Sequence, residues 1–214
     1  MIFNYYEINK FPVVVIDEFY DLEASEKIWD EMCFLNNDSR KMLGDPESTG
    51  SAYDLDSNGN PIFLKQLKAL YLDDVYQGNR TISNILLENR KIFSPEVVDK
   101  LIELHPFFKY LSLANHDTTI LNYYENSDHY LPHVDLSIIT ALTWFYKKPK
   151  AFLGGELVIE NELTVDCNYN RMVIFPSMLR HEVKPVTLHR EFLNQNYGRF
   201  SISQLILMKA PQKK

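Results

Sequence analysis

Tyr130-Leu131-Pro132-His133-Val134-Asp135 is the stretch on which the reading of this chain turns, and His181 follows further on, beyond another apolar run. In extended chain, residues i and i+2 point to the same side, so His133 and Asp135 can share one ligand from a strand. Two imidazoles and one carboxylate suit a ferrous ion with open positions for reactants, and the same set also suits zinc. The spacing alone says little. With 6 His and 14 Asp in 214 residues, chance supplies a His-x-Asp pair in roughly one chain in three. The surroundings must decide.

Around that stretch, apolar runs alternate with turn signals: Thr118 to Tyr124, Ile138 to Tyr146, Glu156 to Glu160, Arg171 to Phe175, Val183 to Val186 and Arg199 to Met208. Their length and β-branched content predict an antiparallel β-structure over the second half. In the closing run, Arg199, Ser201 and Ser203 share one face, with Phe200, Ile202 and Gln204 on the other. An inward Arg beside hydroxyls is the chemistry that grips a carboxylate. The first half predicts a strand at Val13 to Ile16, a helix from Asp21 to Leu35, a further helix from Phe63 to Gln77, one after Thr81, and one starting at Ser94-Pro95. Asn36 to Pro61, rich in Asn, Asp, Ser and Gly, predicts a long surface loop suited to act as a lid.

Composition sets the outer limits. At 214 residues, 45% hydrophobic and 13% aromatic, the chain fits one globular domain: residues 1–105 a mainly helical support with the lid loop, 106–210 a β core. The net charge of −7 and the lack of a basic stripe argue against nucleic acid as partner. Cys33 and Cys167 lie in neither CxxC nor zinc-ligand spacing and read as free thiols. No window approaches a membrane span, and the opening Met1-Ile2-Phe3-Asn4 carries no basic leader, so the expectation is a soluble, cytoplasmic protein without a membrane partner.

Four pieces, in order, resemble the prolyl-4-hydroxylase-like branch of the iron(II)- and 2-oxoglutarate-dependent oxygenases. They are Tyr124 through His133-Val134-Asp135, then Gly154-Gly155-Glu156-Leu157, then Phe175-Pro176-Ser177 with His181-Glu182-Val183-Lys184-Pro185, and Gly198-Arg199-Phe200-Ser201. The resemblance covers about Thr118 to Met208, and more loosely Phe11 to Leu35. It implies an α+β fold, a double-stranded β-helix (jelly-roll or cupin-like) with N-terminal and flanking helices. It further implies that His133, Asp135 and His181 bind Fe(II), that Arg199 and Ser201 hold the distal carboxylate of 2-oxoglutarate, and that Tyr124 and Tyr130 assist. O2 is then the oxidant and ascorbate a supporting reductant. The implied reaction is hydroxylation of a substrate C–H bond with release of succinate and CO2; the carboxylate of Asp135 favours this over halogenation, since halogenating members lack it. The family places its basic residue nine to twelve positions after the second His. Arg190 stands at nine and Arg199 at eighteen, and Arg199 is preferred because a period-2 strand follows it, with Leu188 to Tyr197 read as an inserted hairpin loop.

The expected substrate is a prolyl residue in a peptide or protein, with a free amino acid or other small metabolite as the alternative. Two readings of other classes stay open on sequence grounds: a non-catalytic β-helix binding module, and a zinc hydrolase using the same three ligands. Oligomeric state is not legible.

Overall fold

Val13, Val14, Val15 and Ile16 are all buried, and such a continuous apolar run requires a strand covered on both faces. In the computed structural model, which describes residues 1–37 and 43–210, that strand is β2 (Phe11–Asp17), preceded by β1 (Ile2–Ile8). The two are joined through Asn9 and Lys10, both at positive φ, the backbone that a two-residue hairpin turn needs. Helix α1 (Leu22–Leu35) follows, its N-terminus capped by Asp21, whose side chain accepts from the Ala24 N–H at 2.9 Å.

Next come a small hairpin, β3 (Tyr53–Leu55) with β4 (Pro61–Phe63), then β5 (Lys65–Gln66) and β6 (Lys68–Tyr71). Helices α2 (Leu72–Val75), α3 (Asn84–Glu88), α4 (Pro95–Leu104) and α5 (Tyr110–Leu113) lead into the strand-rich half. That half holds β7 (His116–Tyr124), β8 (His129–His133), β9 (Ile139–Phe145), β10 (Phe152–Gly154), β11 (Leu157–Ile159) and β12 (Leu163–Val165). It closes with β13 (Met172–Pro176), β14 (His181–Val183), β15 (Val186–Leu188) and β16 (Arg199–Leu207).

Seven strands form one sheet in the order β1-β2-β13-β9-β16-β7-β6, and five form a second in the order β12-β11-β14-β8-β5. The period of two divides the residues of the large sheet between two cores. Val14, Ile16, Ile174, Phe200, Ile202 and Ile206 pack with Ile28, Met32, Val97 and Leu101 of the helices. Val13, Val15, Leu142, Trp144, Val173 and Phe175 pack with Leu157, Ile159 and Val183 of the five-stranded sheet. The result is the expected α+β architecture: two facing antiparallel sheets of a double-stranded β-helix, with helices over the outer face of the larger one.

Several elements differ from expectation. The helix predicted over Phe63 to Gln77 is β5, β6 and only the one-turn α2, because Lys65 to Tyr71 pair with β8 and β7, and edge pairing overrides local helix preference. β1 was not legible, since its Asn, Tyr and Glu side chains lie mostly at the surface. The N-terminal half therefore supplies three strands of the large sheet and the edge of the small one. Ser94 stands at the N-cap of α4, but its side chain makes no capping bond. The expected lid segment 36–61 lies partly, at 38–42, outside the described residues; its later part is the β3–β4 hairpin and the turn before it. Among the described residues no helix is long and apolar enough to cross a membrane.

Candidate metal centre and cosubstrate pocket

His133 ends β8 and His181 begins β14, and the antiparallel register sets them directly opposite each other. A separation of 48 residues thus becomes one cross-strand pair, with ring centroids 4.3 Å apart. Asp135 lies two residues past the end of β8, in the following loop rather than on the strand. It is set in place by backbone: its N–H donates to the Ser177 carbonyl at 3.1 Å. Ligand atoms of the three side chains fall within 4.8 Å of one another. The Asp135 carboxylate is 3.8 Å from Nε2 of His133 and 3.5 Å from Nε2 of His181.

The partners of the ligands fix their chemistry. Nδ1 of His133 is 2.8 Å from the Leu131 carbonyl and Nδ1 of His181 is 2.9 Å from that of Leu179. A carbonyl only accepts, so each Nδ1 carries the proton and each Nε2 turns its lone pair toward Asp135. Burial, with His181 beside it, pushes His133 down to about 4, which leaves it a neutral ligand at neutral pH. Oδ2 of Asp135 accepts from the Thr140 hydroxyl at 2.6 Å; the Thr140 hydroxyl also lies 2.8 Å from that of Ser177, which in turn lies 2.6 Å from that of Ser137. Two lone pairs and one oriented carboxylate make a donor set of net charge −1, which fits a divalent cation. In the sequence Ser177 stands out only as part of the run Phe175-Pro176-Ser177, and Thr140 and Ser137 not at all, because hydroxyls on or beside an apolar strand carry no signal of their own.

The cluster opens into a cavity of about 530 Å³ lined by Tyr71, Asn122, Tyr124, Tyr130, Leu142, Arg199, Ser201, Ser203 and the turn Gly50-Ser51-Ala52-Tyr53. Arg199, Ser201 and Ser203 of β16 all line it, while Phe200 and Ile202 face the helices. Arg199 is fully buried. Among the described residues none of its three guanidinium nitrogens makes a hydrogen bond of normal geometry; its carbon lies 4.5 Å from the ring centroid of Tyr124 and 5.5 Å from that of Trp144, and the Tyr124 hydroxyl and Cys167 thiol feel its charge. Burying a cation without hydrogen bonds is costly, so this pocket is built for an anion, and the planar fork suits a carboxylate. Burial pushes the Tyr124 hydroxyl up to about 12, against the opposing pull of Arg199, so it is a neutral donor beside that fork.

Two other residues shape the pocket. Gly155 has φ +75°, and a Cβ there would meet Cδ of Arg199 at 2.7 Å; the Gly154-Gly155 pair thus clears room for the guanidinium as well as turning the chain. The Tyr130 ring stacks on His133 at 3.5 Å, and its hydroxyl accepts from the Ala52 N–H at 3.3 Å. Tyr130 therefore ties the turn before β3 to the His133 cluster, and it lines the same cavity as Arg199. Arg190 sits exposed in a 3-10 turn and is not among the residues lining the cavity. The segment around it is no hairpin: β15 pairs with β10 and β16 with β7 and β9, so the chain passes between sheets.

Comparison with known proteins bears on this geometry. Residues 118–204 match the family described as the 2OG-Fe(II) oxygenase superfamily. A PKHD-type hydroxylase of Janthinobacterium sp. (strain Marseille) is 33% identical over 104 residues, 41% of this chain and 46% of that protein. A PKHD-type hydroxylase of Aliarcobacter butzleri is 28% identical over 108 residues, 43% and 48% respectively. The matched stretches span less than half the length of these curated relatives. Among solved structures, the Trichoplax adhaerens prolyl hydroxylase bound to a hypoxia inducible factor peptide fragment superposes with a TM-score of 0.60 over 91% of this chain and 83% of its own, at 15% identity. A Pseudomonas putida prolyl-4-hydroxylase gives 0.59 over 92% and 93%, at 12% identity. Residues 118–204 are thus similar to the 2OG-Fe(II) oxygenase superfamily, and the fold around them is shared with the solved prolyl hydroxylases.

Proposed function

We propose that this protein is an iron(II)- and 2-oxoglutarate-dependent dioxygenase that hydroxylates a substrate C–H bond, with a prolyl residue of a peptide or protein as its substrate. One observation carries the reading: the buried guanidinium of Arg199, which makes no hydrogen bond of normal geometry among the described residues, faces the same cavity as His133, Asp135 and His181. A zinc hydrolase does not require such an anchor beside its metal, and a binding module does not require all four residues.

His133, Asp135 and His181 would hold the iron, with Thr140 keeping the Asp135 carboxylate turned toward it. Arg199, with Ser201 and the Tyr124 hydroxyl beside it, would clamp the distal carboxylate of 2-oxoglutarate. When bound, iron and cosubstrate supply the oxidising power: O2 is consumed, 2-oxoglutarate leaves as succinate and CO2, and one oxygen atom enters the substrate as hydroxyl. Leu142 and the stacked Tyr130 contribute apolar wall to the cavity, which limits water. Ascorbate would serve to keep the metal ferrous, and a cytoplasmic setting agrees with the free thiols Cys33 and Cys167.

Support for a peptide substrate comes from the rim. Tyr53, Leu55, Ile62 and Phe63 of the hairpin are exposed, as is Leu136 beside the cluster, and Tyr53 and Leu136 line the cavity itself. Clustered exposed apolar side chains mark a contact surface. The structural neighbours named as prolyl hydroxylases, one of them holding a peptide, point the same way. The test is twofold. Anaerobic addition of Fe(II) and 2-oxoglutarate should give a visible charge-transfer band, and aerobic incubation with proline-rich peptides should add one oxygen by mass spectrometry. Absence of the band rejects the oxygenase; oxygen added only to small molecules rejects the peptide.

A further inference from the structure

The cavity holds a second cation that the cosubstrate does not need. Lys65 of β5 is 7% exposed and lines the same cavity. In the antiparallel register it stands directly opposite Tyr130, so the two side chains share the inner face. Since the Tyr130 ring stacks on His133, Lys65 is one side chain removed from the metal cluster. Its Nζ donates to the Thr49 hydroxyl at 2.9 Å, which uses one of three N–H donors; the charge of Asp45 acts on it, but no carboxylate lies within 4.0 Å of it among the described residues. Tethering a turn through one hydroxyl does not call for a charge, because a buried neutral donor would do so without the desolvation cost. Arg199 and Lys65 rise from different sheets, and a dicarboxylate held by Arg199 at one end and by a metal at the other has no carboxylate left for Lys65.

We propose that Lys65 is the specificity-determining residue of this site, and that it selects substrates carrying a carboxylate close to the reacting carbon. The proposal rests on the oxygenase reading above and narrows its substrate class. Burial pushes the ammonium down to about 8, against the weaker opposing pull of the Asp45 charge, so a carboxylate brought into contact with it would favour its charged form. The carboxylate can come from an acidic side chain next to the target residue, or from the α-carboxylate of a chain end or free amino acid.

Matched probes separate these sources. The protein is loaded with Mn(II) and saturating 2-oxoglutarate under nitrogen, so that Arg199 is occupied, and titrated calorimetrically with two pairs. The first is N-acetyl-L-proline against N-acetyl-L-prolinamide, and the second is N-acetyl-Ala-Pro-Glu-amide against N-acetyl-Ala-Pro-Gln-amide. The expected result is at least tenfold tighter binding of the carboxylate in one pair, which names the source. In Lys65→Met that ratio falls below twofold, Lys65→Arg keeps most of it, and the affinity for 2-oxoglutarate is unchanged in both. Equal binding or no binding of both pairs by the unaltered protein overturns the proposal, as does a preference that survives Lys65→Met. A tenfold loss of 2-oxoglutarate affinity in Lys65→Met also overturns it, by assigning Lys65 to the cosubstrate. If the unaltered protein neither binds 2-oxoglutarate nor releases succinate from it, the oxygenase reading falls, and this proposal with it. Intact cosubstrate binding with indifferent probe pairs removes only the role of Lys65.

Discussion

Thr140 shows how much of this site is carried by side chains that never touch the reactants. Its hydroxyl holds the Asp135 carboxylate at 2.6 Å, and outer partners of this kind usually matter 10- to 100-fold. Thr140→Val is nearly isosteric but removes the donor. It is expected to weaken Fe(II) or Mn(II) affinity by about 10- to 100-fold, measured by metal titration, with little change in melting temperature. His133→Ala and Asp135→Ala should abolish the charge-transfer band altogether. Arg199→Gln should raise KM for 2-oxoglutarate by about 10- to 100-fold, the worth of charged hydrogen bonds, while leaving metal affinity near its original value. If Arg190→Gln produced that effect instead, the assignment of the anchor would be wrong.

At the scale of the elements, β7 carries a buried acid that is not among the residues lining the cavity. Asp117 is 6% exposed and accepts from Arg80 at 2.7 Å, Arg90 at 2.9 Å and Gln204 at 2.8 Å. Burial alone pushes its carboxyl up; the bonds from Arg80 and Gln204, with the charges of Arg80 and Arg90, outweigh that and hold it below its usual value. A folded pKa below the unfolded one means stabilisation that is complete above about pH 4. It is lost as the pH falls through the folded value. Asp117→Asn should therefore cost about 3 kcal/mol at pH 7 and flatten the acid limb of stability against pH, as followed by urea unfolding between pH 2 and 7. The strand reading was good wherever apolar runs were long, as in β7, β9, β13 and β16. It failed at β5 and β6, whose Lys65 to Tyr71 has no strong period and becomes strand only because β8 and β7 offer edges.

For the molecule as a whole, the candidate metal site joins β8 and β14 of the small sheet through a carboxylate steadied by β9 and the residue after β13 of the large one. Any ion that binds only this assembled arrangement stabilises the fold by mass action, by about 2.7 kcal/mol at 100 times its dissociation constant. For a chain of this size that corresponds to a rise in melting temperature of about 5–10 °C. Mn(II) should produce it in the native protein, a chelator should reverse it, and His181→Ala should not show it. An equal rise in His181→Ala would place the binding elsewhere.

By itself the sequence determined the types of the candidate ligands, their order along the chain, and the inward face of β16, because these depend on residue identity and on a local period of two. It also presented two arginines, at 190 and 199, with no means of weighing their surroundings. Tertiary structure decided that Arg199 is the buried one, that Asp135 comes from a loop held by Ser177 and Thr140, and that Gly155 makes room for the guanidinium. It also brought Lys65, from a segment that reads as helix, into the same cavity. These facts depend on which strands lie side by side. That pairing is set by packing and hydrogen bonding across separations of tens of residues, which no local pattern records.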